Sequence, residues 1–214
     1  LTDHLAILCP GYLDSKDYDH LVRLAEVLTE RGYTVVRFDP TGTWESEGSI
    51  SEYLTSQYLN DIKNVLEYML REEDYKYVLL GGHSRGGMVS ILYAARDPRI
   101  SLVLPIMPSS GRSMVGKRRE DWQRSDFSIS RRDVPGKTEK IEFKVPYLHV
   151  IDRDKYDVVL EAKNVHVPMV FIAGELDAMS LPEDVKEIFD NANEPKKFVT
   201  IPGIVHDYRH NDEE

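Results

Sequence analysis

The stretch Val78-Leu79-Leu80-Gly81-Gly82-His83-Ser84-Arg85-Gly86-Gly87-Met88 decides how this chain is read. An apolar run meets a serine flanked by glycines, and apolar residues at helical spacing, Met88, Ile91, Leu92 and Ala95, follow at once. Gly82-His83-Ser84-Arg85-Gly86 has the form G-x-S-x-G. A strand that turns sharply into a helix through a serine needs glycine on both sides, because Cβ atoms there would collide with the neighbouring strand and helix. The pattern is short enough to arise by chance, so its surroundings have to carry the argument.

Outward from that turn, short apolar runs alternate with amphipathic stretches. Residues 5–9 form a continuous apolar run ended by Pro10-Gly11, which reads as a buried strand. Leu21, Leu24, Ala25 and Leu28 recur at helical spacing, predicting a helix over 17–31 that stops near Gly32. Residues 33–38 are β-branched and aromatic and predict a second strand, followed by a polar loop at 39–48. Ser51 is the expected cap of a helix reaching residue 71, and 76–80 is the third strand, leading into the serine turn. The fourth strand falls at 102–106, the fifth at 168–173 and the sixth at 198–201, with a helix opened by Leu181-Pro182 between the last two. Strands alternating with helices mean a mostly parallel sheet covered on both faces. Between 108 and 167 the alternation stops. The first half of that span is basic and loop-like, and the second half carries β-like pieces at 140–145 and 147–151. It reads as an inserted cap, leaving 1–107 and 168–214 as the core.

Composition limits the function classes. A chain of 214 residues is enough for one sizeable core, and its net charge of −10 argues against nucleic acid or an anionic membrane as the main partner. No apolar run approaches membrane-spanning length, and no signal peptide is visible. Cys9 is the one cysteine, so no internal disulfide forms. It reads as a buried small residue and favours a reducing, cytoplasmic setting. The chain begins at Leu1 and ends eight residues after His206, and both ends read as cuts in a longer sequence. The oligomeric state stays open, with a homodimer as one option.

In an open α/β sheet the active groups collect at the carboxyl ends of the strands. Here those ends carry Pro10-Gly11-Tyr12, Ser84, Gly174-Glu175-Leu176-Asp177 and His206. A serine hydroxyl becomes a useful nucleophile when a histidine takes its proton, and a carboxylate holds that histidine in the right tautomer. Ser84, His206 and Asp177 are the candidates, in the order expected of such a triad, with Glu175 and Asp207 as rival carboxylates. The oxyanion of a tetrahedral intermediate needs two donors: the backbone N–H of Arg85 and that of Tyr12. Gly11 is expected to leave room for substrate, and Trp44 to line the pocket unless it packs within its loop. The commoner reading of the basic run from Arg112 to Arg132 is a solvated face, with attraction of an anionic substrate as the alternative; Arg85 is read mainly as a backbone donor, with a substrate contact from its side chain as the alternative. His83 is expected to point into the core. His4, His20, His149, His166 and His210 show no metal spacing, and neither metal nor cofactor is expected.

Gly-His-Ser-Arg-Gly-Gly, the loop from Asp39 to Gly48, Gly-Glu-Leu-Asp and Ile-Pro-Gly-Ile-Val-His resemble the α/β-hydrolase superfamily. Within it the chain is most similar to small serine esterases of the feruloyl/cinnamoyl type. The resemblance implies a cofactor-free serine hydrolase acting on short acyl or hydroxycinnamoyl esters through an acyl-enzyme. It also implies that 108–167 forms a small cap over the acyl pocket; the family's usual two N-terminal strands before Leu5 are absent or cut away, and its usual C-terminal helix after His206 is missing. Where the family often has His-Gly, this chain has Pro10-Gly11; the backbone donor survives that change. Thioester or peptide hydrolysis and acyl transfer can run on the same triad, and a non-catalytic binding protein of the same fold is a further alternative.

Overall fold

The computed structural model describes residues 2–110 and 115–208. Its centre is a six-stranded sheet in which all pairings are parallel. In chain order the main elements begin with β1 (His4–Cys9), α1 (Asp19–Glu30), β2 (Thr34–Arg37), α2 (Thr55–Glu72), β3 (Tyr77–His83), α3 (Arg85–Ala94) and β4 (Leu102–Ile106). They continue with α4 (Lys117–Ser125), β5 (Phe127–Asp133), β6 (Lys140–Pro146), α5 (Leu148–Arg153), α6 (Val158–Glu161), β7 (Met169–Gly174), α7 (Pro182–Asn191) and β8 (Lys196–Ile201). The strand order is β2-β1-β3-β4-β7-β8, so the chain first winds one way from β1 and then the other. That reversal puts a switch point between β1 and β3, where a crevice opens beyond the strand ends.

The run Leu5–Cys9 is fully buried because side chains alternate between two covered faces. Leu5, Ile7 and Cys9 pack with Val78, Leu80 and the buried face of α3. Ala6 and Leu8 face the other way, onto Leu21 and Leu28 of α1. Tyr58, Ile62 and Leu66 of α2 close the first face. The α/β architecture expected from the sequence is the one observed.

Several local expectations are corrected. The long helix begins at Thr55, and the side-chain cap in this region is Ser49, not Ser51. Ser49 closes a reciprocal box with Glu52 over a single 3-10 turn, Ile50–Glu52. Strand β3 runs on to His83, held by pairing with β1 and β4. The piece at 147–151 is helix, not strand: Leu148–Arg153 buries His149, Val150 and Asp152 and exposes Leu148 and Ile151. Short apolar runs do not distinguish the two by periodicity alone. The basic half of 108–167 is ordered where it is described. There α4 ends at Asp126 in a left-handed conformation, and β5 pairs antiparallel with β6 from Phe127↔Pro146 to Asp133↔Lys140.

The span from 108 to 167 is not uniform in its packing. Trp122, Phe143, Val145, Tyr147 and Val150 form a small cluster with Leu13 and Tyr53, above the strand ends. Val158, Ala162 and Val165 belong instead to the main core.

Candidate active site

Ser84 sits between β3 and α3 at φ 54°, ψ −116°, in the left-handed half of the map that a non-glycine residue rarely enters. Such a conformation costs on the order of 1–3 kcal/mol and persists only where the surroundings over-determine it. Here they do. The Ser84 N–H donates to Ile106 O at 2.9 Å, and its carbonyl accepts from Met88 N and Ser109 N, both at 3.0 Å. The flanking glycines are required by close approach. A Cβ on Gly82 would lie 2.3 Å from Cys9 O, and one on Gly86 2.0 Å from the same atom. Cys9 itself is fully buried, and burial pushes its thiol up to about 12, so it is an inert packing group.

His206 follows β8 and reaches back to this turn. Its Nε2 lies 2.9 Å from Ser84 Oγ, and its Nδ1 lies 2.7 Å from Asp177 Oδ2. A carboxylate can only accept, so Nδ1 carries the proton and Nε2 is free to accept from the serine hydroxyl. Asp177 is almost completely buried, and its Oδ1 accepts from the N–H groups of Met179 and Ser180, both at 2.8 Å. Burial alone would raise its carboxyl; the hydrogen bonds from His206 and the two amides outweigh that and hold it below the usual carboxylate range. Of the rival carboxylates, Glu175 accepts the Gly203 N–H at 2.8 Å, which ties the β7 and β8 loops together and turns it away from the imidazole's role.

The loop after β1 is pinned by groups that sequence reading did not single out. Tyr58 donates its hydroxyl to Pro10 O at 2.9 Å, Tyr53 Oη accepts from Leu13 N at 2.9 Å, and Arg132 of β5 donates to Tyr12 O at 3.1 Å. Among the described residues no hydrogen bond engages the Tyr12 N–H. Arg85 opens α3, so its N–H has no acceptor within that helix. The Tyr12 phenol is pushed up to about 12, mainly by burial.

These groups face a cavity of about 220 Å³. Ser84 and His206 stand in its wall with Tyr12; Met88, Trp122 and Val150 supply apolar surface. Arg85, Arg118 and Arg153 also line it. His149 closes one side, its Nδ1 donating to Tyr53 O at 2.8 Å; burial, then the nearby Arg85, push it down to about 3. It is therefore neutral near pH 7.

Two expected site residues fall elsewhere. Trp44 does not line the cavity: its Nε1 donates to Leu13 O at 3.1 Å, and its ring packs edge-on against Tyr18 and Phe143. Gly11 is not in the wall either; a Cβ there would strike Asp14 Oδ2 at 2.4 Å, so its smallness accommodates Asp14 and not substrate. His83 is buried as expected, its ring 4.8 Å from that of His206. It also joins Asp14 and His20 in a group whose ligand atoms lie within 4.8 Å of one another. Those three residues could hold a small cation. Their separation in the sequence gave no spacing signal.

Comparison with known proteins decides the family. The serine aminopeptidase, S33 family of α/β-hydrolases matches residues 2–109, half of the chain. The chain belongs to this family. It is therefore a hydrolase-fold enzyme, as the strand-end motifs implied. An uncharacterized 31.7 kDa protein from the traX-finO intergenic region of Escherichia coli is 24% identical over 87% of this chain and 77% of its own length. The same fold is seen in Est1E of Butyrivibrio proteoclasticus, solved with ferulic acid bound (TM-score 0.79, 23% identity, 97% of this chain and 83% of that one). It is seen too in a Paleococcus ferrophilus monoacylglycerol lipase (TM-score 0.77, 18% identity, 98% and 88%). Among the described residues no helix is long and apolar enough to cross a membrane.

Proposed function

We propose that this α/β-hydrolase cleaves carboxylic esters through a serine-bound acyl intermediate, with Ser84 as nucleophile, His206 as general base and acid, and Asp177 as the group that orients it. The observation that carries the reading is the unbroken chain from Ser84 Oγ through His206 to Asp177, 2.9 and 2.7 Å per link, opening onto a cavity. Ser84 Oγ attacks the ester carbonyl as its proton passes to His206 Nε2. The buried Asp177 carboxylate stabilises the imidazolium so formed. The oxyanion is met by the N–H groups of Tyr12 and Arg85, each worth about 3 kcal/mol of transition-state stabilisation. His206 then protonates the departing alcohol, the C–O bond breaks, and water activated by the same imidazole releases the acid.

Short acyl or hydroxycinnamoyl esters are the proposed substrate class. The cavity is smaller than the roughly 300–1,000 Å³ usual for drug-sized ligands, which favours a short or flat acyl group. Est1E holds ferulic acid on the same fold, which supports the aromatic version. Residues 108–167 are proposed to act as a cap that sets specificity, since Trp122, Val150 and Arg153 from that span line the cavity.

The test is turnover of p-nitrophenyl acetate together with labelling by a fluorophosphonate. Ser84→Ala should lose both. A Ser84→Ala protein that keeps wild-type turnover would overturn the assignment.

A further inference from the structure

The cavity beside Ser84 carries a charge that neither the net charge nor the proposed reaction accounts for. The chain as a whole is at −10, yet the described wall of this cavity holds three arginines and no carboxylate. Arg85 is the key group. It is 4% exposed, and among the described residues none of its Nε, Nη1 and Nη2 atoms has a hydrogen-bond partner. Its guanidinium carbon lies over Tyr53, 4.1 Å from the ring centre, with the Tyr58 ring centre at 5.6 Å. A cation–π contact supplies no hydrogen-bond acceptor to the N–H donors. Arg153 stands in the same wall; its buried Nη1 makes a long ion pair with Asp154 Oδ1 at 3.6 Å and, among the described residues, no hydrogen bond. A buried guanidinium with no hydrogen-bond partner, as at Arg85, is costly, and a second guanidinium in the same wall repels it. An oxyanion is the ligand that relieves both costs, because a planar fork of N–H groups matches its two oxygens.

We infer that this cavity selects esters bearing a carboxylate or phosphate, held by Arg85 and Arg153 while Ser84 attacks the ester carbonyl. The inference rests on the serine-hydrolase reading of the same site and narrows its substrate class. It also disfavours a free α-ammonium group in this cavity, and with it the aminopeptidase activity that gives the family its name.

The experiment has two arms that separate the sources of the anion. In one, mono-p-nitrophenyl glutarate is compared with p-nitrophenyl valerate. In the other, a butyryl ester of glycerol 3-phosphate is compared with monobutyryl glycerol. The expected result is that in at least one arm the anionic ester exceeds its neutral counterpart in kcat/KM by tenfold or more, about 1.4 kcal/mol. That ratio should fall towards one in Arg85→Met and in Arg153→Met; either variant suffices if the other does not fold. Equal or better turnover of both neutral esters by the wild-type protein overturns the inference and leaves the serine-hydrolase reading standing. So does a ratio that survives both substitutions. If no ester of any kind is turned over, the serine-hydrolase reading has failed, and calorimetry with glutarate and with inorganic phosphate still decides the anion site. One-to-one binding lost in Arg85→Met supports it, and no binding of either overturns it.

Discussion

Replacing Gly86 with alanine places a methyl group 2.0 Å from the Cys9 carbonyl oxygen and 2.7 Å from that of Pro10. Real Cβ atoms keep at least 3.0 Å, so the end of β1 and the turn after it must separate from α3 by about 1 Å. The two N–H groups proposed for the oxyanion stand on either side of that gap, Tyr12 just beyond Pro10 and Arg85 just before Gly86. A misplacement of about 1 Å in a reacting geometry costs roughly 100-fold in rate, equivalent to about 2.7 kcal/mol. The stability loss should be smaller in its consequences, about 1–3 kcal/mol for overpacking, or a few degrees to about 10 °C in Tm. Gly87 supplies the internal control. A Cβ there meets Gly82 O at 2.9 Å and Pro108 at 3.2 Å, so a shift of a few tenths of an ångström suffices, against about 1 Å at Gly86. Alanine also favours a helix over glycine by up to about 1 kcal/mol. Gly87→Ala should therefore keep activity within a few-fold of wild type. Gly82→Ala, at 2.3 Å from the same Cys9 oxygen, should fall between the two. The assay is kcat/KM on p-nitrophenyl acetate beside a thermal melt. A folded Gly86→Ala protein with more than a third of wild-type activity refutes the reasoning. Equal damage from Gly86→Ala and Gly87→Ala does so as well.

Asp177→Asn should keep the fold, since the new side-chain oxygen can still accept from Met179 and Ser180. Its amide would donate to His206 Nδ1, move the imidazole proton to Nε2, and lower kcat by roughly 10⁴; an unchanged kcat counts against the triad. His149 gives stability a pH dependence of known sign. Its folded-state value is depressed from 6.5 to about 3, so below pH 6.5 the unfolded chain takes up a proton that the folded one refuses. Stability is full above pH 6.5 and falls as pH drops towards 3, by about 2 kcal/mol between pH 7.5 and 5.0. Urea midpoints should show this slope, and His149→Gln should reduce it by that amount; equal slopes in the two proteins would remove His149 as the cause.

Buried parallel strands are the most legible part of this sequence, because a strand covered on both faces is a continuous apolar run. Leu5–Cys9 and Leu102–Ile106 were readable for that reason. β3 was readable only to Leu80. Its last three residues, Gly81, Gly82 and His83, carry little strand preference of their own, and pairing with β1 and β4 extends them. The hairpin failed differently. Phe127-Ser128-Ile129-Ser130 alternates as a strand should, but it stands beside α4, rich in arginine, and the run of cations masked it. Helix α5 is not legible because Val150 shares its cluster with Leu13, Tyr53 and Trp122, which are distant in the sequence, and its short run carries no clear period.

The same division runs through the site. The proximity of Ser84, Asp177 and His206 was legible because topology sends strand ends to one edge. The groups that hold the loop after β1 were not. Arg132 reaches Tyr12 O across 120 residues, and Tyr53 reaches Leu13 across 40. Nothing local marks either residue. Charge is the clearest case. A net charge of −10 is a sum over the whole chain and does not describe its cavities. Arginines read from sequence as a solvated face divide in the fold: Arg131 is exposed, while Arg132 turns inward onto the Tyr12 carbonyl. Arg85 follows the serine because the turn needs a backbone N–H there, and any residue could supply that. A buried guanidinium at the position, in cation–π contact with Tyr53 and Tyr58 and with its donors lacking hydrogen-bond partners among the described residues, is a choice that the turn does not require. A side chain that costs the fold energy and adds nothing to the reaction common to the family is where the specificity of this particular chain should be sought.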